Sequence, residues 1–162
     1  MSIKIYFDLD GTLFDLYNKK NWLEDLTNER NGVFEGDFLR EIDTDNFYEI
    51  VDRLLSMGVT FGVITWLPMQ ASPEYEEVCR EEKMRWVREN LSFVTEFNCI
   101  PYGIPKQNCI QKRAKRMFLI DDNIEVCQAW ETATQRIAIN VNSEYTAEKA
   151  LEWIVDKLIR GD

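Results

Sequence analysis

Apolar and polar positions change period several times along this chain, and the changes mark out alternating strands and helices. Residues 3–7 are apolar and β-prone, and the run stops at Asp8. Phe47, Tyr48, Ile50, Val51, Leu54 and Leu55 recur at helical spacing, with Gly58 behind them as a C-terminal stop. A second buried strand is expected over 59–64, ending at Thr65. A long helix over about 73–90 follows, then a strand within 93–100 and a shorter helix opening at Lys106. Beyond it the pattern predicts a strand over 117–120 ending at Asp121-Asp122, a helix over about 124–133 and a strand over 136–139. Ala147, Ala150, Leu151, Ile154, Val155 and Leu158 form one apolar stripe for a last helix, with Thr146 as its N-cap.

Five strands alternating with helices predict an α/β fold with a mostly parallel sheet covered on both faces. Such folds bind ligands at the carboxyl ends of their strands, at a topological switch point. Asp8, Thr65 and Asp121-Asp122 all fall at expected strand ends, and that coincidence argues for a site. Residues 14–45 break the alternation. They are polar, contain Gly32 and Gly36, and hold one short helix-like stretch over 21–28. A segment this long is either a surface loop or a lid over the strand ends, and long loops so placed tend to be functional. With no repeat, low-complexity tract or second domain, 1–162 reads as a single domain with 14–45 as a small cap within it.

Composition narrows the chemistry. A chain of 162 residues, 45% apolar, can bury a sizeable core. No apolar run approaches the roughly 20 residues of a membrane span, so no membrane partner is expected. Strand-like sequence begins within two residues of the start, which leaves no room for a signal peptide. Cys79, Cys99, Cys109 and Cys127 are widely spaced with no CxxC pair, the pattern of free thiols in a reducing, cytoplasmic setting. A net charge of −10 argues against a nucleic-acid polymer as partner. It leaves room for a small phosphate held by a metal and one lysine. The chain has no histidine, which excludes serine–histidine triads, histidine zinc sites and histidine phosphotransfer. Acid–base chemistry near neutral pH then falls to carboxylates, lysine, cysteine, tyrosine or a metal.

In Asp8-Leu9-Asp10-Gly11-Thr12, two carboxylates follow a buried strand at i and i+2. One can project forward while the other reaches the same space from the turn. Gly11 lets the backbone bend and Thr12 can hydrogen-bond locally. With Leu13, Ile64-Thr65, Lys106 and Ile120-Asp121-Asp122, this segment resembles the haloacid dehalogenase (HAD) superfamily of phosphohydrolases, with the four motifs in order.

The resemblance implies a HAD-like Rossmannoid three-layer fold and Mg²⁺-dependent hydrolysis of a small phosphomonoester through an aspartyl-phosphate. In its terms Asp8 is the nucleophile and Asp10 the general acid–base. Thr65 and the Trp66 backbone N–H bind a phosphoryl oxygen, and Lys106 neutralises developing charge. Lys112 and Lys115 are rivals for the lysine role. Mg²⁺ would be held by Asp8, the Asp10 backbone carbonyl and the Asp121-Asp122 pair, with Asp122 the direct ligand and Asp121 behind it or acting through water. The stretches Asp15-Leu16-Tyr17, Asn21-Trp22-Leu23, Ile64-Thr65-Trp66-Leu67, Glu74-Tyr75 and Tyr102-Gly103-Ile104-Pro105-Lys106 resemble a bacterial and phage branch near the 5'(3')-deoxyribonucleotidases. That points to a nucleoside monophosphate among the small phosphorylated metabolites, with Tyr17, Trp22 and Trp66 stacking on a base or packing the lid.

Two alternatives stand beside this one. A receiver-like phosphorylation switch also uses acidic residues, Thr and Lys around Mg²⁺, but 94–99 offers no aspartate as phosphoacceptor. A non-catalytic HAD-fold binding protein is the other. Lys83 stands apart: it falls inside the apolar stripe Tyr75, Val78, Cys79, Trp86, Val87. It is expected to snorkel to solvent or else to pair with a carboxylate.

Overall fold

Large apolar side chains alternate along the central strands, and that alternation places one core on each side of a sheet. In a computed structural model describing residues 2–110 and 114–161, five parallel strands form the sheet. They are β1 (Ile3–Phe7), β2 (Val59–Trp66), β3 (Val94–Ile100), β4 (Arg116–Asp121) and β5 (Ile137–Asn140), in the order β3-β2-β1-β4-β5. Five helices accompany them: α1 (Trp22–Thr27), α2 (Thr44–Ser56), α3 (Pro73–Asn90), α4 (Ile124–Thr134) and α5 (Ala147–Arg160). The fold is α/β with an all-parallel sheet, and no helix among the described residues is long and apolar enough to cross a membrane.

Ile3, Ile5 and Phe7 of β1 enter one core with Phe61 and Val63 of β2, Phe118 and Ile120 of β4, and the buried faces of α2, α3 and α5. Phe7 and Phe61 stack with their planes 2° apart. The intervening residues, Tyr6, Ile64, Met117 and Leu119, enter a second core with Val126 and Trp130 of α4. A one-residue slip of any central strand would exchange the two cores, so register is strongly specified.

Helix starts follow their caps. Asp43 accepts from Asn46 N, Ser72 from Tyr75 N ahead of Pro73, and Asn123 from Glu125 N and Val126 N. Thr146 does occupy the N-cap position of α5, but its hydroxyl donates to Glu148 and caps no backbone N–H. The helix expected at Lys106 is a single 3₁₀ turn, Lys106–Cys109, which stops because Ile110 is extended. β2 runs two residues further than the pattern predicts, because Thr65 and Trp66 keep pairing with Cys99 and Ile100.

Residues 14–45 contain α1 and otherwise irregular backbone, held down mainly by α3. Glu82 accepts from Gly32 N and Phe34 N, Trp86 Nε1 donates to Gly36 O, and Tyr75 Oη donates to Arg30 O. Glu29 accepts from the backbone N and hydroxyl of Ser72. From within the segment, Lys19 donates to the carbonyls of Gly32, Val33 and Glu35. These bonds replace the ladder that irregular backbone lacks.

Candidate active site

β1, β2 and β3 run outward from the centre in one direction, and β4 and β5 in the other, so strand order reverses between β1 and β4. The Asp8 N–H extends that pairing by donating to Ile120 O at 3.0 Å. Asp8 therefore emerges beside the end of β4, where Asp121 and Asp122 follow. Beyond Asp8 the chain turns tightly: Leu9 O accepts from the N–H groups of Thr12, Leu13 and Phe14, and Gly11 takes a φ of 77°.

The turn folds Thr12 back under the acidic cluster. Its hydroxyl lies 3.2 Å from Asp122 Oδ1 and 3.5 Å from Asp8 Oδ2, and it accepts from Asp122 N at 3.1 Å. Ligand atoms of Asp8, Asp121 and Asp122 all lie within 4.8 Å of one another. Lys106 bridges two of them, with Nζ 2.7 Å from Asp8 Oδ1 and 2.6 Å from Asp121 Oδ2. Asp121 Oδ1 accepts from Asn123 N, so both Asp121 oxygens are engaged. Of the rival lysines, Lys115 is exposed, and Lys112 lies outside the described residues.

Lys83 takes the second of its two expected courses and pairs with a carboxylate. It does not snorkel: its side chain is 1% exposed, and Nζ donates to Asp10 Oδ2 at 2.7 Å, Thr65 Oγ1 at 2.9 Å and Trp66 O at 2.6 Å. Nζ also lies 4.5 Å from the centre of the Phe34 ring. The carboxylate it needed stands on the turn after β1, and burial of an ammonium is tolerable only with such pairing. Among the described residues, Asp10 Oδ1 is buried without a hydrogen-bond partner.

Four carboxylates and two ammonium groups thus share one site, leaving it two negative charges in excess when all are ionised. Burial pushes Asp122 up to about 8, with repulsion from Asp8 and Asp121 adding to it. Burial and Asp8 likewise push Asp121 up to about 6 against the pull of Lys106. Burial raises Asp10 above the usual carboxylate range, and Lys83 opposes that only in part. Burial alone would lower Lys106, but Asp8 and Asp121 outweigh it and hold the group above its ordinary value. All-oxygen donors with uncompensated negative charge are the chemistry that suits Mg²⁺.

A cavity of about 560 Å³ opens over these groups. Asp8, Asp10, Lys106, Asp121 and Asp122 line its floor. Residues 14–45 supply one wall, including Tyr17, Trp22 and Phe34, and Trp66, Met69 and Tyr102 lie among its other lining residues. Tyr17 meets Trp22 edge-to-face at 5.0 Å, so Trp22 both packs and lines. Trp66 is held by a bond from Nε1 to Ile104 O and by the Tyr102 ring. Among the described residues, Lys106 is the one cation in the lining.

Thr65 is not in that lining: it is fully buried and its hydroxyl accepts from Lys83. Sequence reasoning did not single out Phe34, Met69 or Glu29 for the cavity, since irregular backbone carries no periodic signal for which side chain faces inward. No protein-family model matches this chain, and no curated protein matches it.

Proposed function

We propose that this chain is a Mg²⁺-dependent phosphohydrolase of HAD type, with residues 14–45 as a small fixed cap. It would cleave a small phosphomonoester through an aspartyl-phosphate on Asp8. The observation that carries the proposal is the convergence of Asp8, Asp121 and Asp122 within 4.8 Å, bridged by Lys106, on the floor of an apolar-walled cavity.

Asp8, the Asp10 backbone carbonyl and Asp122 would hold the metal. Asp121 is the poorer ligand, because Lys106 and Asn123 N already occupy its oxygens. When bound, Mg²⁺ supplies positive charge to the phosphoryl oxygens and to the Asp8 carboxylate. An Asp8 oxygen attacks phosphorus, and the bond from phosphorus to the leaving oxygen breaks. Asp10, which burial raises above the usual carboxylate range, gives its proton to that leaving oxygen. Water then attacks the same phosphorus, its proton passes to Asp10, and Asp8 and inorganic phosphate are released. Lys106 uses two of its three N–H donors on Asp8 and Asp121, which leaves one for a phosphoryl oxygen.

The cavity favours a particular leaving group. Tyr17, Trp22, Trp66 and Tyr102 offer ring faces and edges, and no second cation lines the described wall to receive another phosphate. A nucleoside monophosphate fits these demands better than a sugar bisphosphate. Turnover of a panel of nucleoside monophosphates and sugar phosphates, with Mg²⁺ and with EDTA, tests the reading. Metal-dependent release of phosphate from the monophosphates supports it, and no turnover of any ester by folded protein with Mg²⁺ rejects it.

A further inference from the structure

We infer that Lys83 is a positioning residue for phosphoryl transfer, the group that aims Asp10 by tying it to the buried Thr65, rather than one that touches the phosphate. The inference rests on the phosphohydrolase reading and concerns a residue outside its four motifs.

An ammonium has three N–H donors. Lys83 spends all three inside the protein, on Asp10 Oδ2, Thr65 Oγ1 and the Trp66 carbonyl. None remains for a phosphoryl oxygen, and Lys83 does not line the cavity. Lys106 differs on both counts. The two lysines thus divide the work by valence: Lys106 faces the cavity, and Lys83 holds Asp10, which lines it.

The geometry gives Lys83 something to hold. Asp10 sits on the turn after β1 and Thr65 near the end of β2, so Lys83 fixes two strand ends from a helix. Lys83 anchors Asp10, a residue that lines the cavity, through Oδ2, and Oδ1 has no partner among the described residues. Lys83 thus fixes the carboxyl that, in the proposed reaction, hands a proton to the leaving group. Phe34 lies against the ammonium, and its N–H is held by Glu82, the residue preceding Lys83 on α3. The lysine is therefore enclosed from strand, helix and cap together.

Leaving-group dependence separates positioning from plain structural support. p-Nitrophenyl phosphate needs no proton on its leaving oxygen, whereas phenethyl phosphate does, and both carry an apolar ring. With the full chain and Mg²⁺, Lys83→Met should lower kcat/KM for phenethyl phosphate by about 100-fold. For p-nitrophenyl phosphate the same change should cost less than about 5-fold, because its expulsion gains little from general acid catalysis. Lys83→Gln, which keeps a hydrogen-bond donor, should show the same selectivity and serves if the methionine variant does not fold. Equal losses on the two esters, or no loss on either, would overturn the inference. So would failure of both variants to fold, which would make Lys83 a folding residue. Wild-type protein inactive on both esters would instead reject the phosphohydrolase proposal itself.

Discussion

Gly11 and Asp122 approach so closely that a Cβ on Gly11 would collide with Asp122 Oδ2, and the Tyr17 ring closes the same space from the other side. Gly11 also holds a φ of 77°, a region that L side chains adopt with strain. The turn after β1 and the carboxylate after β4 are thus fitted to each other through a missing side chain.

Gly11→Ala should therefore damage the site more than the fold. The strained φ costs about 1 kcal/mol, and the added methyl must displace Asp122 or Tyr17. Titration with Mg²⁺, followed by the rise in melting temperature, should show weaker binding than wild type. Unchanged Mg²⁺ affinity would mean that Asp122 is not fixed by this contact.

Raised carboxylate values set a pH dependence with a definite sign. Asp122 moves from 3.8 to about 8 and Asp121 from 3.8 to about 6, so the folded state holds these protons more tightly than the unfolded chain. Their contribution to stability is complete below pH about 4 and is lost as pH rises through 6 to 8. Metal-free protein should melt lower at pH 8 than at pH 5.5, and Mg²⁺ should raise the melting temperature more at pH 8. Asp122→Asn should flatten this slope. A pH-independent melt that is also insensitive to Mg²⁺ would contradict the crowding of these carboxylates.

Glu82 is 7% exposed and satisfies two backbone N–H groups of the 14–45 segment, Gly32 at 2.5 Å and Phe34 at 3.2 Å. Glu82→Ala leaves both donors unpaired and should cost about 2–4 kcal/mol, since hydrogen bonds to charged groups are worth about 1.5–3 each. Urea denaturation measures the loss, and hydrogen exchange should quicken around 30–36 ahead of the sheet. Exchange that is unaltered there would show that the segment is held by its other bonds alone.

Gly62 tests the second core without touching the acidic cluster. A Cβ there would lie 2.7 Å from Tyr6 Cε1, and Tyr6 cannot step aside. Its ring packs edge-on against Trp130 and its hydroxyl bonds Glu96, which is itself paired with Lys4. Gly62→Ala should cost about 1–3 kcal/mol by overpacking, read from the denaturation midpoint. A neutral result would mean that Tyr6 has room the packing does not suggest.

Much of this arrangement is legible in the chain, and the illegible parts share a cause. Ile3, Ile5 and Phe7 announce a strand because a period of two survives burial on both faces, and Asp8 announces its end because a carboxylate cannot continue that core. The long helix expected over about 73–90 is α3, its start set in the structure by the Ser72 cap ahead of Pro73. The partner of Lys83 resisted prediction because helical spacing tells which way a side chain points and not what waits there: Asp10 lies 73 positions away. The burial of the Thr65 hydroxyl under Lys83 followed from the same pairing. The cavity wall was equally hidden, since Phe34 and Glu29 sit on irregular backbone whose course is set by distant bonds to Glu82 and Ser72.

The most direct test of the central claim is to look for phosphate on Asp8. Folded protein with Mg²⁺ would be mixed with a ³²P-labelled nucleoside monophosphate, quenched in acid and digested. The expected result is an acid-stable, hydroxylamine-sensitive phosphopeptide spanning Asp8, present in wild type and absent in Asp8→Asn, which should also lose phosphate release. Steady hydrolysis with no labelled peptide, or full activity in Asp8→Asn, would contradict an aspartyl-phosphate on Asp8.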